Sequence, residues 1–174
     1  MKPKTILRKG RRDYGRPSLN ETLKLGVLVF AYGSNLDVDQ MFRRCPDSLV
    51  VGPAFLPGYS LEFVGHSRGW AGAVANVYKS SRGCNVPGMV YRVTPEDLAH
   101  LDACEGVPYT YERVKVRVKM FDGKRRTVHV YLRQGDPELG YPSVRYFRAI
   151  YRGYMLWQFH TNHITRLFRA AGYS

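Results

Sequence analysis

Apolar residues in this chain fall into short runs broken by turn-forming residues, and the spacing within each run predicts its element. "GVLVFA" at 26–31 is an unbroken apolar run that stops at "YGSN", and "FLPGYSLEFVG", "GAVANVYK" and "GMVYRV" repeat that form, as buried or half-buried strands do. "YERVKVRVKMF" alternates strictly, with Val114, Val116, Val118 and Met120 on one face and Lys115, Arg117 and Lys119 on the other. The "DG" at 122–123 turns that strand into "RRTVHVYLR", which predicts a hairpin. Between strands, Thr94 is suited to cap a helix, Pro95 to its first position, Glu96 and Asp97 to its positive start and Gly106 to its end, so 95–104 reads as a helix with Leu98 and Leu101 facing inward. A shorter helix is expected around Val38 to Arg43, with Ser34 and Asn35 either capping it or touching a ligand. After Pro142, Phe147, Ile150, Tyr151 and Tyr154 recur at helical spacing, and "HTN" offers a start for a second C-terminal helix in "HITRLFRAAG". These elements predict an α+β fold: a barrel-like mixed β-sheet with packed helices.

Composition adjusts this picture in three ways. At 174 residues and 44% hydrophobic content the chain suits one globular domain. No run of about 18 apolar residues occurs, the first residues lack a secretory signal, and three cysteines without C-x-x-C spacing suggest neither a disulfide framework nor a thiolate metal site; a soluble, cytoplasmic protein is expected. Charge is the extreme, with 27 Lys and Arg against 14 Asp and Glu, or +13. Residues 1–25 carry Lys2, Lys4, Arg8, Lys9, Arg11, Arg12, Arg16 and Lys24 against Asp13 and Glu21, with few large apolar side chains. They are expected to form a basic, flexible arm that attracts nucleic acid or another acidic partner or merely aids solubility, ahead of a folded domain at 26–174.

The loop "FAYGSNL", then "LDACEGVPYTYERVKVRV", "VYLR" and "YPSVRYFRAI" in that order, resembles the γ-glutamylcyclotransferases and their AIG2-like relatives from about residue 27 to 172. The resemblance implies release of 5-oxoproline and an amine from a small-molecule γ-glutamyl amide, with no cofactor, no metal and no membrane partner. It carries the substrate-gripping loop onto Tyr32, Gly33, Ser34 and Asn35, and places phenols around the substrate at Tyr131 and Tyr146.

The reaction itself says what such a site needs. The substrate's own α-amine attacks its γ-carbonyl, so no enzyme nucleophile is required; a base that later acts as an acid is. Glu105 is the candidate catalytic residue, because a helix C-terminus and burial both raise a carboxyl's proton affinity. The amides of Gly33, Ser34, Asn35 and Leu36 are expected to converge as an anion-binding turn. Tyr131, on a strand face with Thr127 and His129, is expected to look into a polar cavity. Among rival sites, Cys104 suits small apolar packing better than nucleophilic attack, and His160 and His163 suit capping or surface roles better than metal binding. His66 lies in a loop without ligand spacing. A catalytically silent binding module working through the basic arm is the competing reading. Oligomeric state has no sequence signature here.

Overall fold

The computed structural model describes residues 18, 20, 24–81, 83–135 and 137–173, so the expected basic arm lies almost wholly outside the described residues. Seven strands are present among them: β1 (Val27–Ala31), β2 (Leu49–Pro57), β3 (Tyr59–Ser67), β4 (Gly72–Lys79), β5 (Asn85–Val93), β6 (Tyr111–Met120) and β7 (Arg125–Arg133). Five of them close a barrel in the order β1-β5-β2-β6-β7, and β3 pairs with β4 as a separate two-stranded sheet. Closure comes from a parallel meeting of β1 with β7 at Val29 and His129. The expected β6–β7 hairpin forms, with Val114 opposite Val130 and Lys119 opposite Arg125, but its loop has three residues, Phe121 to Gly123, with Gly123 alone left-handed (φ 85°), so the register differs by one from that of a two-residue "DG" turn.

Among the described residues, four complete helices pack with the sheets: α1 (Val38–Arg44), α2 (Pro95–Glu105), α3 (Val144–Leu156) and α4 (Thr161–Ala170). Thr94 Oγ1 accepts from Asp97 N at 3.0 Å, and Gly106 ends α2 in the left-handed region (φ 70°), so Glu105 is the helix's last residue. Leu101 is fully buried, whereas Leu98 is half-buried. Asp97 is also buried, and loss of solvent lifts its carboxyl to about 6 while it accepts a bond from Asp47 N.

The sequence leaves the caps of α1 and α4 open among neighbouring residues, and His160 takes the capping role expected of it. Ser34 and Asn35 do not cap α1, because Ser34–Leu36 already coil into one turn of 3₁₀ helix; Asp37, the next residue, accepts from Gln40 N at 3.0 Å. In α4 the cap is His160, whose Nδ1 accepts from Asn162 N at 3.2 Å.

The 3₁₀ turn is held from behind by α3. Trp157 Nε1 donates to Leu36 O at 3.3 Å, and Gly153 lies so close that a Cβ there would sit 2.4 Å from Leu36 Cβ and 3.0 Å from its backbone. Leu36 is fully buried and has nowhere to retreat. Gly153→Ala gains roughly 1 kcal/mol of helix propensity but incurs overpacking near the top of the ~1–3 kcal/mol range. Denaturant unfolding of this variant should show a net loss of about 1–2 kcal/mol; an unchanged or raised midpoint would mean the turn is not clamped.

Candidate active site

At the C-terminal end of β1 the chain enters a cavity lined by Tyr32, Gly33, Ser34, Asn35, Ala75, Glu105, Tyr111, Tyr131 and Tyr146, with Phe30 and Ala31 beneath them. Seven of the eight residues singled out from sequence therefore meet in one place. Leu36 does not: its side chain packs in the core and its amide donates to Gly33 O at 3.0 Å, closing the 3₁₀ turn. Among the described residues, the amides of Gly33, Ser34 and Asn35 make no backbone hydrogen bond outside regular elements, as the first N–H groups of a helical turn have no preceding acceptor. Gly33 is needed for close approach, since a Cβ there would come within 3.2 Å of the Tyr146 hydroxyl.

Glu105 projects from the end of α2, and its side chain is 17% exposed. Both of its hydrogen bonds fall on one oxygen. Oε1 accepts from Asn35 Nδ2 at 3.1 Å and from Arg44 Nη1 at 2.9 Å, while Oε2 has no partner among the described residues. Burial raises the proton affinity of this carboxyl; the Arg44 charge and the bonds from Asn35 and Arg44 pull it part of the way back, and the net shift is upward. The direction agrees with the sequence-based expectation. Its main cause is loss of solvent, and the opposing arginine is a feature that α1 supplies.

A polar relay fixes this geometry. Arg44 Nη1 also donates to Asn35 Oδ1 at 2.9 Å, and Gln40 Nε2 donates to the same oxygen at 3.1 Å and to Ser34 Oγ at 2.7 Å. Gln40 and Arg44 sit one turn apart on α1, which places both on the helix face toward the loop. Sequence reasoning passed over both. The i, i+4 spacing of Gln40 and Arg44 just after "YGSN" is the signal that points to them.

The tyrosines differ from one another in what their hydroxyls do. Tyr32 OH donates to Tyr131 O at 2.6 Å, tying β1 to β7. Tyr131 OH donates to Asp102 Oδ1 at 2.6 Å, and Asp102 also pairs with Arg113 Nε at 3.2 Å. Tyr131 lines the cavity, whereas Thr127 and His129 on the same strand face do not: Thr127 is exposed and His129 half-buried. Tyr146 OH accepts from Ala75 N at 3.1 Å, and its ring lies 4.9 Å from that of Trp70. Tyr111, at the start of β6, was not anticipated; the Arg133 guanidinium lies over its ring at 5.8 Å. Burial raises the proton affinity of all four phenols, so each stays neutral near pH 7.

The rival residues lie elsewhere. Cys104 is exposed, with Sγ 3.9 Å from His100 Nε2. His163 packs against Phe55 with ring centroids 5.1 Å apart, and His66 is exposed. Among the described residues no three His, Cys, Asp or Glu side chains cluster as metal ligands, and no helix is long and apolar enough to cross a membrane.

Comparison with known proteins agrees with this geometry. The family profile described as "Gamma-glutamyl cyclotransferase, AIG2-like" matches residues 29–149, the stretch that holds the whole cavity. The curated γ-glutamylcyclotransferases of Homo sapiens and Mus musculus are 34% and 33% identical to this chain over 132 residues, covering 72% of it and 69% of each relative. A solved structure described as a γ-glutamyl cyclotransferase superposes with a TM-score of 0.76 at 29% identity, over 82% of this chain and 86% of that one. With its loop, barrel and buried glutamate lying inside the matched stretch, the chain belongs to the γ-glutamyl cyclotransferase, AIG2-like family.

Proposed function

We propose that this protein is a γ-glutamyl cyclotransferase that splits a small γ-glutamyl amide into 5-oxoproline and a free amine, with Glu105 as general base and then general acid. One observation carries the assignment of roles: among the described residues, Oε1 of Glu105 is anchored by Asn35 and Arg44 while Oε2 has no partner, in a cavity bordered by the Gly33–Asn35 loop, whose amides make no backbone bond outside regular elements.

Glu105 Oε2 accepts a proton from the substrate's α-ammonium, and the freed nitrogen attacks the γ-carbonyl carbon. The bond from that carbon to the departing nitrogen breaks as the nitrogen is protonated. The two protons lost by the α-ammonium on becoming a lactam N–H are the two gained by the departing nitrogen on leaving as an ammonium, so one shuttling carboxyl suffices. Because the nucleophile is part of the substrate, most of the remaining barrier is orientation, for which well-placed groups supply roughly 7–11 kcal/mol in intramolecular reactions. Gly33, Ser34 and Asn35 amides hold the glutamyl moiety by its oxygens. Tyr146 accepts from Ala75 N, which leaves its own O–H proton for the substrate; Tyr131 spends its proton on Asp102 and serves as a wall and acceptor. Neutral phenols suit these roles and exclude tyrosinate as the base.

Glu105→Gln keeps the shape and the acceptor for Asn35 and Arg44 but removes proton transfer. Steady-state assay of 5-oxoproline release should show kcat lowered by about 10²–10⁴-fold with KM changed little; wild-type kcat would move the role to another group. The pH profile of kcat/KM supplies a second check. Since the free carboxylate is the base and its proton affinity is raised, activity should fall on acidification with a midpoint above the ~4.3 of an unperturbed glutamate. Arg44→Gln removes a charge that favours the carboxylate, so this limb should move to higher pH. A limb that stays put or moves to lower pH would contradict the assigned pairing.

The reducing cytoplasm is the compartment we assign, from the odd count of three cysteines without C-x-x-C spacing. Residues 1–25 are a separate basic arm in this proposal, attracting acidic partners without a part in the chemistry. Full-length protein should be retained on DNA in a salt-dependent way that disappears when residues 1–25 are removed; equal retention of both forms would overturn this.

A further inference from the structure

Beside the glutamyl cavity lies a second, more open one of about 490 Å³, lined by Asp37, Gln40, Arg43, Arg44, Gly69, Trp70, Arg145, Ala149 and Arg152. Its composition is one-sided. Four arginines face one aspartate, and that aspartate is occupied in capping α1. Arg44 is neutralised by Glu105, but among the described residues Arg43, Arg145 and Arg152 have no carboxylate partner. Arg145 instead donates to Gly69 O and lies over the Trp70 ring at 4.8 Å, which holds its guanidinium at the rim. Four arginines gathered from α1 and α3 outnumber the two carboxylates near them, Asp37 and the Arg44-bound Glu105, and the excess positive charge is a cost that an anion bound among them relieves.

The two cavities have no lining residue in common, but residues that line one are in direct contact with residues that line the other. Gln40 and Arg44 line the second while bonding Ser34, Asn35 and Glu105 of the first. On the other side Trp70 packs on Tyr146, which lines the first. Two titratable groups bear on the anion's surroundings from the adjoining elements: Asp37, at the start of α1, and Glu105, held on Arg44.

We propose that this arginine cavity is the subsite for the departing amine, and that it selects amines carrying two or more carboxylates, as in an acidic amino acid or a short acidic peptide joined through its amino group to the γ-glutamyl carbonyl. A single α-carboxylate engages one guanidinium, or two at most. Three guanidiniums that make no ion pair among the described residues match a leaving group with a second acid, and Trp70 forms an apolar side for its carbon chain. The inference rests on the cyclotransferase reading and adds to it the substrate class.

The test compares release of 5-oxoproline from γ-glutamyl-glutamate, γ-glutamyl-alanine and γ-glutamyl-methylamide by the full chain at low and high salt. Each added carboxylate should raise kcat/KM by roughly three- to tenfold, chiefly through KM, with the preference shrinking as salt rises. Arg43→Gln/Arg152→Gln, which leaves the Arg145–Trp70 stack in place, should flatten the ranking, and Arg43→Glu/Arg152→Glu should turn it toward γ-glutamyl-lysine. Circular dichroism checks that both variants are folded. Turnover of γ-glutamyl-alanine with no preference for γ-glutamyl-glutamate, or a preference that survives both double substitutions, overturns the subsite and leaves the cyclotransferase reading standing. No turnover of any of the three amides overturns both.

Discussion

A carboxylate buried at the end of a helix has to be held by something, and here the holding is lopsided: two donors from elsewhere in the chain converge on one oxygen of Glu105 and leave the other alone. Asn35 comes from the loop after β1 and Arg44 from α1, so the bond set joins the barrel's edge to the end of α2 across about a third of the sequence. Desolvation alone would neutralise the acid; the arginine alone would hold it ionised. Their opposition leaves a carboxyl biased toward protonation yet able to ionise, which is the state required of a group that must both take and return a proton.

The remainder of the architecture serves to keep that arrangement still. Helix α3 presses Gly153 against Leu36 and is followed by Trp157, which donates to the Leu36 carbonyl, fixing the 3₁₀ turn that borders the cavity. Tyr32 reaches from β1 to the backbone of Tyr131 on β7, at the seam where the barrel closes. Asn76 of β4 accepts from Arg133 N at 3.0 Å, docking the two-stranded sheet on the barrel, and next to it Ala75 N donates to Tyr146. Each element that contributes a side chain to the site is thus tied to a neighbour by a bond a few residues away, the kind of support that precise orientation demands.

Local rules made much of this visible before any coordinates. The β6–β7 hairpin follows from strict alternation and a short turn ended by Gly123, and α2 from Thr94, Pro95 and Gly106, all interactions within a few residues. What stayed hidden is long-range. The β1–β7 closure rests on strands about 100 residues apart with one bridged pair, and nothing in either strand names its partner. Arg44 is one of 27 basic residues and Tyr111 one of 13 tyrosines, so residue type alone could not single them out. Ser34, Asn35 and Asp37 are all good caps for α1, and the choice of Asp37 depends on the extra 3₁₀ turn, which packs against α3. Leu36 was misassigned for the same reason, since its burial beneath that helix takes it out of the cavity.

The most direct test is a ¹³C NMR titration of the Glu105 carboxyl in the unliganded full-length chain, assigned by the signal's loss in Glu105→Gln. The account predicts one titration above the ordinary glutamate range, shifting further upward when Arg44 is replaced by Gln. A Glu105 that titrates at or below the range of an exposed glutamate would show a permanently ionised ion pair, unable to pass a proton back.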